Sequence, residues 1–176
     1  MSALIVTESY FGNTAALGEA IAGALAGPGG MAVELRGVED APATLPGAVD
    51  LLVLAAPTHN YSLPRSATRS RARSRGAKTS AQTGLREWIA TLSPQAGLKV
   101  VTVDTALHTS FMPSSAAKTA ARLLRQAGFT AARRGATFFV ADTSGPLDDG
   151  ESARARAWAT ALATGIKAPN SGLASS

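Results

Sequence analysis

A chain of 176 residues is long enough for one domain with a two-sided core and too short for two ordinary domains, and an apolar content of 45% puts it in the globular class. The absence of cysteine excludes disulfide frameworks, thiolate catalysis, iron–sulfur ligation and most zinc sites, so redox chemistry here requires a borrowed cofactor. The net charge of +5 favours anionic partners; no segment nears the ~20 apolar residues that span a bilayer, and Met1-Ser2 enters the first apolar run without a basic leader, so a soluble cytoplasmic protein is expected.

Ala3-Leu4-Ile5-Val6 is a continuous aliphatic run ending in polar residues, the pattern of a parallel strand covered on both faces. Leu17, Ala20, Ile21, Ala24 and Leu25 then fall on one stripe of a helix that closes at Gly27-Pro28-Gly29-Gly30. Met31 to Leu35 offers a second strand, and Gly37 to Gly47 a loop with at most a turn of helix. Asp50 to Ala56 is a third strand, stopped by Pro57.

Between Ser62 and Ala81 stand Arg65, Arg69, Arg71, Arg73, Arg75 and Lys78, with no acid between Asp50 and Glu87. Like charges at alternate positions predict a solvated, flexible loop; the sharper alternative is a lid that binds an anion, such as a phosphorylated cofactor like NADPH, an acidic partner or nucleic acid. No aromatic residue is interleaved with these cations, which argues against stacking on bases.

Leu85, Trp88, Ile89 and Leu92 predict a helix capped by Thr83 and ended before Pro94, followed by a fourth strand over Leu98 to Asp104. Ser114 or Ser115 caps a helix carrying Ala116, Ala120, Leu123, Leu124 and Ala127 and closed by Gly128. Phe138 to Ala141 is a fifth strand, and Ala155, Trp158, Leu162 and Ile166 share one face of a last helix with Asp148 or Asp149 near its start. One domain over residues 1–168 is expected, with a loose tail from Pro169 to Ser176.

Strands alternating with helices imply an α/β fold, a parallel sheet with right-handed crossovers and helices on both faces. Ligands of such sheets bind beyond the carboxyl ends of the strands, where strand order reverses, which directs attention to the loops after strands one, three and four. The first of these, Glu8 to Thr14, ends a strand and opens a helix, so its unpaired amides and the helix dipole suit a phosphate. Gly12 permits close backbone approach, and Ser9, Asn13 and Thr14 add donors; the plainer alternative is that Asn13 and Thr14 merely cap the helix. His59, His108 and Asp104 lack the short spacings that metals impose, and no metal is expected.

Ser9-Tyr10-Phe11-Gly12-Asn13-Thr14 resembles the phosphate loop of the flavodoxin family, Ser/Thr-x-Thr-Gly-x-Thr, with Phe11 where many members place a hydroxyl. Pro57-Thr58-His59 matches the family's second loop, and Gly84 to Trp88, Phe138 to Val140 and Gly145-Pro146-Leu147 look like those of flavodoxin-like domain proteins of bacteria. The resemblance implies a doubly wound five-stranded sheet of order 2-1-3-4-5 and FMN held non-covalently, in a flavoprotein of electron transfer or a small flavin oxidoreductase served by a redox partner or an NAD(P)H-dependent reductase. It further implies that Pro57-Thr58-His59-Asn60-Tyr61 approaches the flavin ring with Tyr61 stacking on it, and that Asp104, Thr105 and His108 line the other edge, with Phe111 as a second aromatic. Two rivals remain: the same scaffold without FMN, and a module whose basic loop binds an acidic protein or nucleic acid.

Overall fold

The computed structural model describes residues 1–28, 30–78, 82–109 and 114–167. Five strands, β1 (Ser2–Thr7), β2 (Ala32–Gly37), β3 (Leu51–Pro57), β4 (Lys99–Leu107) and β5 (Arg133–Val140), pair in the order β2-β1-β3-β4-β5, every pair parallel. Five helices connect or follow them: α1 (Asn13–Ala26), α2 (Ser66–Arg73), α3 (Leu85–Thr91), α4 (Ala116–Gln126) and α5 (Glu151–Lys167). A short 3₁₀ turn at Val38–Asp40 is the single helical turn of the loop after β2.

Successive strand side chains point to opposite faces, so each buried strand feeds two cores. Ile5, Leu51, Val53 and Val101 pack with Leu17, Ile21 and Leu25 of α1 and Ala155 and Ala159 of α5. Leu4, Leu52, Leu54 and Val100 pack on the other face with Leu85, Trp88 and Ile89 of α3 and Ala120 and Leu124 of α4. Registers such as Ile5 opposite Val53 and Val53 opposite Val101 keep these layers aligned across the centre of the sheet.

The differences from the sequence expectation have local causes. The fifth strand begins at Arg133 rather than Phe138 and ends at Val140, because it is an edge strand whose residues before Phe138 include Arg133, Arg134 and Thr137 and form no apolar run. The third helix is capped not by Thr83 but at Gly84, where the Glu8 carboxylate accepts the Leu85 amide at 2.9 Å and replaces a local cap. Ser115 does cap α4, accepting the Lys118 amide at 3.3 Å, and Gly128 adopts a φ of 97°, which closes that helix. The tail from Pro169 lies outside the described residues, and none of the described helices is long and apolar enough to cross a membrane.

Candidate functional site

Strand order reverses at β1 and β3, and the loops leaving their carboxyl ends part over the N-terminus of α1. Gly12 is the N-cap of α1 at φ 91°, a left-handed conformation that glycine adopts at little cost, and a Cβ there would meet open space. Ser9 accepts the Ala15 amide on its Oγ at 3.1 Å, whereas the amides of Asn13 and Thr14 donate to no group among the described residues. The result is a bare backbone cradle at the positive end of a 14-residue helix.

Beside the cradle lies a cavity of about 70 Å³. Ser9, Tyr10, Phe11, Asn13 and Thr14 form its α1 side, Pro57, Thr58 and His59 a second wall, and Thr105, Ala106, Leu107, Val140 and Thr143 the third. Thr14 and Thr105 join hydroxyls at 2.9 Å, and the Thr58 amide donates to the Thr105 carbonyl at 2.7 Å, which ties the three loops together. An adjoining recess of about 320 Å³ shares Phe11, Thr58, His59 and Thr143 with it and adds Asn60, Thr68, Arg71, Ala72 and Arg75.

Several expected ring-side residues serve other ends. His59 and Ser62 exchange both backbone hydrogen bonds at 3.0 Å around Asn60 (φ 49°) and Tyr61 (φ 57°), a tight hairpin turn with two left-handed residues. Tyr61 stands at its tip, 48% exposed, and lines neither recess. His59 packs edge-on to Tyr10 with centroids 4.9 Å apart, and burial holds its imidazole below the usual histidine range, hence neutral. Asp104 is fully buried; its Oδ2 accepts the Ala117 amide at 2.8 Å and the Thr58 hydroxyl at 3.0 Å, so it caps α4 and fixes Thr58 instead of lining the cavity. His108 stacks on Phe139 at 4.2 Å and pairs with Asp148 at 2.5 Å, outside both recesses, while Phe111 lies outside the described residues. Among the described residues no three potential ligands gather as a metal site.

Behind the cradle is a buried polar cluster. The Glu8 carboxylate accepts the Tyr10 hydroxyl at 2.5 Å and the Leu85 amide, and meets Arg69 Nη1 at 3.5 Å; Arg69 Nη2 pairs with Glu87 at 2.8 Å. Burial pushes the Glu8 carboxyl above the ordinary range despite these partners, and burial together with the Glu8 charge pushes the Tyr10 phenol far up, so Tyr10 stays protonated. A carboxyl raised on folding binds its proton more tightly in the folded state; it stabilises below the unfolded value of 4.5, and that contribution is lost as pH rises through the folded value. Glu8→Gln should therefore flatten the fall in stability with pH above 4.5, measured by urea unfolding across pH; an unaltered slope would show that Glu8 titrates normally.

The basic stretch is not a flexible loop throughout. Residues 66–73 form α2, whose buried side is Arg69 and Ala72, and Ala72 and Ala77 pack on Tyr10. Arg69 is wholly buried, so it does not belong with the exposed cations Arg65, Arg71, Arg73, Arg75 and Lys78.

No family model matches the sequence, and no curated protein sequence matches it. Solved structures do. The chain superposes on a flavodoxin from the domain Archaea with a TM-score of 0.64 and 15% identity over 96% of this chain and 100% of the other. Oxidised flavodoxin 2 of Bacillus cereus gives 0.61 and 18% over 94% and 97%. The rubredoxin oxygen:oxidoreductase of Desulfovibrio gigas gives 0.60 and 14%, with 94% of this chain matching 36% of that longer one. The fold is that of the flavodoxins.

Within this flavodoxin fold, Ser9, Tyr10, Phe11, Asn13, Thr14, Pro57, Thr58, His59 and Thr105 line one cavity, Gly12 caps α1 beside it, and Asn60 lines the adjoining recess. Ala106, Leu107, Val140 and Thr143 were missed, while Arg71 and Arg75, read from sequence as part of a basic stretch that could bind an anion, line the adjoining recess only. Val140 and Thr143 were discoverable, since they end β5 and begin its loop at the same edge of the sheet. Ala106 and Leu107 were hidden by a fourth strand that runs three residues past Asp104.

Proposed function

We propose that this chain binds FMN and acts in electron transfer or as a small flavin oxidoreductase, with the cofactor phosphate in the α1 cradle. The observation that carries the reading is the pair of unengaged amides at Asn13 and Thr14 beside an open, left-handed Gly12. A phosphate fits such a cradle without a cation, because the amides and the helix dipole point at it. FMN, when bound, supplies the one- and two-electron transfer that a chain without cysteine lacks.

The chain's own residues then hold and shield the cofactor. Ser9, Asn13 and Thr14 offer polar side chains around the phosphate, while Phe11, Pro57, Leu107 and Val140 supply apolar walls that exclude water from the ring side. Neutral His59 and protonated Tyr10 place no charge against that wall. Electrons would come from a redox partner protein or an NAD(P)H-dependent reductase.

Asn13→Ala combined with Thr14→Ala should weaken FMN binding at least about tenfold, the loss of one or more side-chain hydrogen bonds to a charged group, with an unchanged circular dichroism spectrum. Equal FMN affinity in this variant, read by flavin fluorescence quenching, would take the Asn13 and Thr14 side chains off the phosphate and leave the backbone amides as its donors in the cradle.

A further inference from the structure

The second recess carries a positive charge that the backbone cradle of α1 lacks. On α2 and the turn after it, the cations are sorted: Arg69 is turned inward and neutralised by Glu8 and Glu87, while Arg71 and Arg75 are exposed, line the recess and form no ion pair among the described residues. Among the described residues no carboxylate lines this recess. Two guanidinium forks therefore face one concave space of about 320 Å³ with no counter-charge. Thr68, Asn60 and Thr143 add neutral hydrogen-bonding groups, and Phe11 and His59 form a wall shared with the cavity beside the α1 cradle.

We propose that this recess binds a phosphate-bearing small molecule that meets the flavin: Arg71 and Arg75 grip its phosphate, and its organic part lies along Phe11 and His59. The inference rests on the FMN reading for the identity of the neighbouring cavity; the anion site itself stands on the arginine pair. Concavity argues for a small molecule, since a protein or nucleic-acid partner would use a broad face. Two guanidinium groups facing one recess argue for phosphate, which offers more charge and more acceptor oxygens to the pair than a single carboxylate does. The site also gives the basic stretch a use that requires its helical form, because α2 holds Thr68, Arg71 and Ala72 on one lining.

The test is calorimetric titration of the purified protein with inorganic pyrophosphate at low ionic strength, with FMN present and absent. Wild type should bind one pyrophosphate with FMN present, when the α1 cradle is filled, and Arg71→Ser with Arg75→Ser should weaken that binding at least about tenfold, the loss of charge-assisted hydrogen bonds, with FMN affinity within about twofold of wild type. Asn13→Ala with Thr14→Ala should leave pyrophosphate binding in place. The proposal is overturned if wild type does not bind pyrophosphate, or if binding survives in the arginine variant and disappears in the Asn13/Thr14 variant, which would put the anion in the α1 cradle. Loss of FMN in the arginine variant would also overturn it, by assigning both arginines to the cofactor phosphate. Wild type that binds pyrophosphate through the arginines but no FMN would sink the flavin reading and leave the anion site intact.

Discussion

Arg69→Leu is expected to lower the free energy of unfolding by about 3–5 kcal/mol, the usual cost of removing one partner from a buried ion pair. Arg69 is the bulkiest fully buried side chain among the described residues. It stands between Glu8, which is 1% exposed, and Glu87, and it also reaches the Gln82 carbonyl at 3.4 Å. Leucine fills part of the space but leaves the Glu8 carboxylate buried with only Tyr10 and the Leu85 amide to stabilise it. Arg71→Ser, on the same helix but exposed, should stay within about 0.5 kcal/mol of wild type. Urea unfolding monitored by Trp fluorescence measures both, and equal small losses would show that the cluster contributes no stability.

Gly84→Ala is expected to cost about 2–3 kcal/mol through overpacking alone. The backbone is not the reason: Gly84 has φ −153°, extended geometry open to any residue. The space is the reason, since a Cβ would lie 2.8 Å from Glu8 Oε1 and 2.9 Å from Arg69 Cζ, and closer still to Arg69 Nη1. The methyl fits only by displacing the guanidinium from its carboxylates. Shortening that side chain should relieve the clash, so Gly84→Ala placed on Arg69→Leu should cost less than on wild type, with a coupling of about 1 kcal/mol or more in the double-mutant cycle. Additive losses would mean that the methyl is accommodated by movement elsewhere.

The central strands were legible because both faces of β1 and β3 are covered, which writes them as unbroken apolar runs such as Leu4-Ile5-Val6 and Leu51-Leu52-Val53-Leu54. The edge half of β5 was not, since Arg133 and Arg134 face solvent and carry no pattern. α2 escaped notice for a related reason: its buried stripe is an arginine and an alanine, and a charged residue is read as exposed unless its distant partners are known. Glu8 and Glu87 lie 61 and 18 residues from Arg69 in sequence, and nothing local couples them. The α1 cradle was legible because the strand, the glycine and the helix are contiguous. The settings of Asp104, His108 and Tyr61 were not, because they were placed by position after a strand, and position does not say whether a side chain caps a helix, stacks on Phe139 or tips a turn.

Parallel fluorescence titrations of the purified protein with FMN and with riboflavin test the central claim most directly, because the two ligands share the ring and differ in the phosphate. The amides of Asn13 and Thr14 should contribute one to two hydrogen bonds to a charged group, so FMN should bind about 10- to 1,000-fold more tightly than riboflavin. Equal affinities, or no binding of FMN at any concentration tried, would contradict the account.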